Sequence, residues 1–265
     1  MKGLYLVKLG GSVITDINHP NIARMTVIDR LMGEVKRAQG RNKIILGHGA
    51  GSFGHVVAHR FRVMEGLKDG RSRRGAALTQ FSAAELHAIV MKRALKAGLP
   101  ALSFSPSTGV IARKGRIVSW DITPIGRALE SGFLPIGYGD VVLDDAQGVS
   151  VASTEEIIRH LAMKLKPRRI IVGTDVDGVF TFDPKSDPDA ELVRSVGRHN
   201  MAEVLKMVGG SKKVDVTGGM KSKLIHLYNI SRETGAVCQI VNANRKGVLR
   251  AALSGKRLGT LVDAN

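Results

Sequence analysis

The chain has 265 residues, 43% of them hydrophobic and 24% charged, which places it among soluble globular proteins with ample material for a buried core. Forty Lys and Arg against 23 Asp and Glu leave a formal charge of +17, which raises nucleic acid, anionic membrane and phosphorylated small molecules as ligands. Aromatic residues are only 4%, too few to offer single-stranded nucleic acid a stacking platform. The basic residues are also dispersed, as at Arg71-Ser72-Arg73-Arg74, Arg113-Lys114, Lys164 to Arg169, Lys212-Lys213 and Lys256-Arg257. A scattered excess reads as a solvated surface, so nucleic acid is not an expected partner. The single cysteine, Cys238, lies in the apolar run Ala236 to Val241; a buried thiol and a reducing compartment are expected. The first eight residues are too briefly apolar for a signal peptide, and no run approaches a membrane span, so the expected location is cytoplasmic, with no membrane partner.

In chain order, Leu4 to Leu9 reads as a strand. Asn21 to Gln39 reads as a helix with Ile22, Met25, Ile28, Leu31, Met32 and Val35 on one side. Lys43 to Leu46 is a second strand running into a glycine-rich loop, Thr79 to Ala97 an amphipathic helix, and Pro100 to Phe104 a third strand. Val110 to Ser119 reads as a hairpin turned at Lys114-Gly115, Ile122 to Ser131 as a helix and Leu134 to Ile136 as a strand. A second hairpin follows around Asp144 to Gly148; Ser153 then caps a helix to Leu165, with Glu156 completing a capping box. Arg169 to Gly173 and Val237 to Val241 are strands, while Met201 to Met207 and Gly218 to Glu233 are helices. The stretch Asp183 to His199, with Pro184 and Pro188, reads as a surface excursion. Strands alternating with crossover helices imply an α/β fold with a mainly parallel sheet sandwiched by helices, the two hairpins adding antiparallel strands near one end.

Ligands in open α/β sheets bind where strands end and helices begin, so the segments following strands carry the functional reading. Lys8-Leu9-Gly10-Gly11-Ser12 offers backbone amides and a cation to an anion, without the order of a P-loop. Gly49-Ala50-Gly51-Ser52-Phe53-Gly54-His55 matches G-x-G-x-x-G, but it follows the second strand, and Asp69 lies in a basic stretch rather than at a strand end. A second phosphate cradle, with His55 at a helix start as donor, fits better than a dinucleotide site. His55 and His59 have helical zinc spacing but lack the accompanying glutamate and a third ligand, so no protein-held metal is expected. Asp175 and Asp177, in Gly173-Thr174-Asp175-Val176-Asp177-Gly178, could hold magnesium, lock lysines in place or form a plain turn. Asp215-Val216-Thr217-Gly218-Gly219-Met220-Lys221-Ser222-Lys223 opens a helix with glycines and lysines, another anion site. Glycine loops with lysines, one with a histidine and one with paired aspartates, point together to phosphoryl transfer, which needs charge neutralised and two substrates held in line.

These segments, in order and spacing, resemble the amino acid kinase family from near Lys2 to Val262, and Gly51-Ser52-Phe53-Gly54-His55 resembles the branch acting on isopentenyl phosphate. The resemblance implies a three-layer αβα sandwich, a single domain over 1–265 with an acceptor half (1–166) and a nucleotide half (167–265), and a homodimer. It implies ATP with Mg2+ held mainly by phosphate oxygens and water. Lys8 and Lys223 would contact the transferring phosphoryl group, with Asp175 holding those lysines, and Gly10, Gly11 and Ser12 would cover the phosphates. Ala50, Gly51, Gly54, His55, Gly139 and Glu155 would surround the acceptor, with Asp177, Gly218 and Gly219 on the nucleotide side. The isoprenoid tail would lie along the Thr79 to Ala97 helix, near Phe81, Leu86, Ile89 and Val90.

Three positions depart from the family pattern: Ile17 replaces the lysine usual after Thr15-Asp16, Ser153-Thr154-Glu155 replaces Ser-Gly-Asp, and Ala50 interrupts a glycine triplet. Two other readings stay open. Fosfomycin kinases share the histidine loop, so the acceptor could be a small phosphonate; and a catalytically weak nucleotide- or RNA-binding regulator would suit the +17 charge.

Overall fold

The computed structural model describes residues 3–40, 42–182, 184, 187–208 and 219–265. Its strands are β1 (Leu4–Leu9), β2 (Lys43–His48), β3 (Ala101–Ser103), β4 (Ile111–Arg113), β5 (Arg116–Ser119), β6 (Leu134–Tyr138), β7 (Asp140–Asp144), β8 (Gly148–Ala152), β9 (Arg169–Thr174), β10 (Val179–Phe180), β11 (Leu192–Val193), β12 (Ser195–Val196), β13 (Val237–Asn242) and β14 (Thr260–Val262). Its α-helices are α1 (Gly11–Ile14), α2 (Met25–Ala38), α3 (Gly51–Arg60), α4 (Gly70–Lys96), α5 (Thr123–Glu130), α6 (Thr154–Leu165), α7 (Met201–Val208), α8 (Gly219–Thr234) and α9 (Val248–Leu253).

Eight strands form the central sheet in the order β12-β14-β13-β9-β1-β2-β6-β3. Six run parallel; β14 turns back against β13 and carries β12 with it. Side chains alternate across the pleat. Tyr5, Val7 and Leu9 of β1 therefore join Ile44 and Leu46 of β2 under α2, α4 and α9, in a core with Leu31, Leu86 and Leu249. Leu6 and Ile45 face the other way, under α5, α6 and α8, with Ile158, Leu161 and Leu227. Two helical layers over one sheet make the expected three-layer sandwich.

Four expectations change. The hairpins do not extend the main sheet; they pair with each other as a separate four-stranded sheet, β5-β4-β7-β8, because β4 and β7 run side by side in parallel. The long helix α4 starts nine residues before Thr79: the Asp69 carboxylate accepts from the Ser72 amide at 2.7 Å and the Ser72 hydroxyl accepts from the Asp69 amide at 2.9 Å. That capping box outweighs the aperiodic run of arginines that hid the first turns. Ser153 does cap α6 through the Glu156 amide at 3.2 Å, but the Glu156 carboxylate does not return the bond. It accepts instead from the Ile117 amide at 2.9 Å and pairs with Arg159 and Arg116, tying α6 to β5. Part of the 183–199 excursion also joins the main sheet, as β12.

Candidate active site

Four neighbouring parallel strands, β9, β1, β2 and β6, end on the same edge of the sheet. Their exits carry Thr174 to Gly178, Gly10 to Ser12, Gly49 to Gly54 and Gly139. The sequence-predicted residues separated by up to 167 positions are thereby lined up along one crevice.

The first two loops touch. The Gly10 amide donates to the Gly173 carbonyl at 2.8 Å, fixing the first loop to β9. A Cβ on Gly11 would lie 2.5 Å from both the Cα and the amide nitrogen of Gly51, so no side chain fits between the loops. Gly51 itself has φ +51°, a conformation glycine adopts without strain. Thr15 holds the two together: its hydroxyl donates to the Gly11 carbonyl at 2.8 Å and accepts from the Ser52 amide at 3.1 Å.

Lys8 shares the pleat face of Leu6, which turns it toward α6, where its ammonium makes an ion pair with Glu155 in the first turn. Burial would raise the Glu155 pKa, but Lys8, a hydrogen bond from it, and the more distant Lys223 together hold it below the ordinary carboxylate value. His55 lies in the same field. Desolvation lowers its pKa, Lys8 lowers it further and Glu155 opposes them. His55 sits in the second turn of α3, not at its start as the sequence suggests, because the helix already begins at Gly51.

On the other side, the Asp175 carboxylate accepts from the Ser12 hydroxyl at 3.2 Å and the Thr174 hydroxyl at 3.1 Å, linking the exits of β9 and β1. Asp177 accepts from Asn242 Nδ2 at 2.9 Å and pairs with Arg245 at 2.6 Å. Among the described residues, no three His, Cys, Asp or Glu side chains group to hold a metal. Gly219 opens α8 with φ +32° and Lys223 lies in its second turn. Gly218 and the preceding Asp215-Val216-Thr217 fall outside the described residues, as do Lys212 and Lys213.

The crevice holds two glycine loops in contact, a lysine–carboxylate pair and a histidine within the field of that pair, an arrangement whose chemistry suits an anion. The sequence pattern of the amino acid kinase family matches residues 3–242. The chain belongs to the amino acid kinase family. It is 40% identical over 263 residues to the isopentenyl phosphate kinase of Methanothermobacter thermautotrophicus, covering 96% of this chain and 97% of the relative. The isopentenyl phosphate kinase of Methanocaldococcus jannaschii is 30% identical over 272 residues, with 98% of both chains covered. An isopentenyl phosphate kinase crystal structure superposes with a TM-score of 0.84 at 35% identity, over 98% of this chain and 99% of that one.

In this amino acid kinase the departures from the family pattern have local accommodations. Thr154 fits where glycine is usual because Gly47 and Gly139 lack side chains: a Cβ on Gly47 would lie 2.8 Å from Thr154 Cγ2. Its hydroxyl donates to the His48 carbonyl at 2.7 Å. The Ala50 methyl packs against the bare face of Gly54, where a Cβ would come within 2.7 Å of it. Ile17 is 68% exposed, and no contact accounts for it.

Of the four residues the sequence offers for the tail, Leu86 and Val90 are fully buried in the core between α4 and the sheet and Ile89 packs against that core, whereas Phe81 is exposed and lines an open cavity with Val56, Val57 and Leu78. A separate small apolar core packs Val63, Ala76, Val141 and Val149, with Ala58, Phe61 and Val151 around them. Ala58 is one helical turn from His55, and Val141 is two residues beyond Gly139. Thr15, Asn242, Arg245 and His48 were not singled out from sequence. Thr15 had a usable signal, four residues after Gly11 at the end of a one-turn helix, and so did His48, in step with the core-facing Ile44 and Leu46.

Proposed function

We propose that this amino acid kinase transfers the γ-phosphoryl group of ATP to isopentenyl phosphate, giving isopentenyl diphosphate and ADP. The observation that carries the reading is the meeting of Lys8, Glu155 and His55 where the two glycine loops touch. Relatives named isopentenyl phosphate kinase, similar along nearly the whole chain, support the choice of acceptor. An acceptor phosphate oxygen attacks the γ-phosphorus, the bond to the bridging β–γ oxygen breaks, and ADP leaves with that electron pair. Such a transfer asks the protein for alignment and charge stabilisation more than for covalent chemistry.

In this reading Ala50, Gly51, Gly54, His55, Gly139 and Glu155 enclose the acceptor's phosphate, with His55 as donor. Lys8 and Lys223 oppose the charge on the equatorial oxygens, and Asp175 fixes the geometry of the phosphate loop through Ser12. Gly10, Gly11 and Ser12 cover the ATP phosphates, and Asp177, Gly218 and Gly219 serve the nucleotide side. Mg2+, when bound, would supply further charge neutralisation and would be held chiefly by phosphate oxygens and water, since among the described residues no three acidic or histidine side chains group to ligate it. The open cavity lined by Val56, Val57, Leu78 and Phe81, on the helix that carries His55 and the start of α4, takes the isoprenoid tail. Residues 1–166 form the acceptor half and 167–265 the nucleotide half of one domain. The chain works as a cytoplasmic homodimer, for which the exposed edge strand β3 and the half-exposed Leu102 and Phe133 beside it supply a surface.

ADP release from purified protein with Mg-ATP, comparing isopentenyl phosphate, fosfomycin and no acceptor, tests the reading. Turnover with isopentenyl phosphate alone is expected. Turnover with fosfomycin instead, or with neither acceptor, contradicts it.

A further inference from the structure

Behind the acceptor loop lies a chain of polar side chains to which the reaction assigns no role. His48, the last residue of β2, is fully buried, and its Nδ1 lies 3.1 Å from the Gly49 carbonyl oxygen. Its Nε2 lies 3.0 Å from Nδ1 of His87 in α4, whose Nε2 lies 2.7 Å from the Ser103 hydroxyl on β3. The two imidazoles and the Tyr138 ring stack, with His87 and Tyr138 centroids 4.4 Å apart.

The Gly49 carbonyl can only accept, and this fixes every proton in the chain. Nδ1 of His48 must carry the hydrogen, leaving its Nε2 as acceptor. Nδ1 of His87 must then donate to it, and His87 Nε2 must accept from Ser103. The reverse order would set a bare Nδ1 lone pair against the Gly49 carbonyl. Desolvation keeps both rings neutral, lowering the His48 pKa to about 4 and the His87 pKa to about 3.

The main chain of His48 is a second anchor. Its carbonyl accepts from the Gly139 amide at 3.1 Å and the Thr154 hydroxyl at 2.7 Å, one residue from Glu155. Gly49, in turn, abuts the first phosphate loop: a Cβ there would lie 2.9 Å from the Gly11 amide nitrogen. One residue thus ties β2, β6 and α6 together at the point where both loops meet.

We propose that His48 is a positioning residue for the acceptor phosphate, held in a single orientation by His87, and that both imidazoles are Nδ1–H tautomers. Neither touches the substrates; the pair acts by fixing the Gly49 carbonyl, and through it the glycine loop that carries His55. The kinetic part rests on the acceptor-kinase reading above, whereas the tautomer part does not.

Long-range proton–nitrogen NMR correlation of the intact protein, with His48→Asn and His87→Asn used for assignment, reads the tautomers directly. Two neutral Nδ1–H rings are expected. An Nε2–H tautomer at His48, or a cationic ring near neutral pH, overturns the proposal whatever reaction the chain catalyses. Kinetics supply the second readout. Asn at position 48 can place an amide donor where Nδ1–H stood, whereas Gln reaches the Nε2 position and leaves Gly49 without its donor. His48→Gln is expected to raise the acceptor KM about tenfold with the ATP KM within about twofold, a loop misplacement well short of the ~100-fold that a 1 Å error can cost. His48→Asn should recover most of that loss. Equal damage to the KM values of both substrates in both variants would mark His48 as merely structural.

Discussion

Lys8 at the end of β1 and Glu155 in the first turn of α6 form an ion pair that closes 147 positions of chain across the floor of the crevice. The pair leaves Lys8 compensated before any ligand arrives and aimed by the pleat toward α6. Removing one partner of a largely buried pair leaves the other charge without compensation. Glu155→Gln should therefore lower the stability of the free protein by about 2 kcal/mol, below the full ~3–5 kcal/mol of a wholly buried pair because the Glu155 side chain is 27% exposed. Bound ATP should restore part of the loss by giving Lys8 a phosphate oxygen. Thermal melts with and without Mg-ATP measure this; an equal shift in both would show that Lys8 has no phosphate partner.

Thr15 is the clasp between the two glycine loops, and Thr15→Val removes its hydroxyl while keeping its shape. The Ser52 amide then loses its acceptor in a buried position, at a cost of about 1–3 kcal/mol. Chemical denaturation should show that loss, and kcat should fall because the loops are no longer held in register. A variant as stable and active as the parent would remove Thr15 from the account.

Much of this site was legible from sequence. That the glycine loops, Lys8, His55 and Asp175 would gather on one edge of the sheet was readable because each lies at or just after the end of a parallel strand. Long-range partnerships were not: Asp177 meets Asn242 and Arg245, and His48 meets His87, only after the sheet order brings their strands and helices together. The fold class followed from strand–helix alternation. The pairing of β4 with β7 could not, since nothing local distinguishes two independent hairpins from one four-stranded sheet. Leu86 and Val90 were misplaced because an amphipathic face reports burial without saying against what.

The buried histidines make stability fall in mild acid. His48 has a pKa of about 4 in the fold against an ordinary 6.5, so the unfolded chain takes up a proton between those values that the folded chain refuses. Its contribution is complete above pH ~6.5 and is lost as pH falls toward 4, by about 3 kcal/mol over the window. His87 acts in the same direction. Denaturation midpoints at several pH values should show a steeper fall for the parent than for His48→Asn. Parallel profiles would contradict the buried neutral state.

Ile17 stands, exposed, where the family pattern has a lysine. Ile17→Lys should raise kcat/KM for ATP several-fold with the acceptor KM unchanged, and more at low salt, since an exposed cation is screened. Steady-state kinetics at two ionic strengths test this; no gain at either would show that the remaining lysines suffice.

The most direct test of the central claim, that this crevice seats a phosphate acceptor against His55, is the steady-state kinetics of His55→Ala with isopentenyl phosphate and ATP. Losing one positioned donor to a reacting phosphate should cut kcat/KM for the acceptor by about 100-fold or more, while the ATP KM stays within about threefold. Unchanged acceptor kinetics, or a loss confined to the ATP KM, would contradict the account.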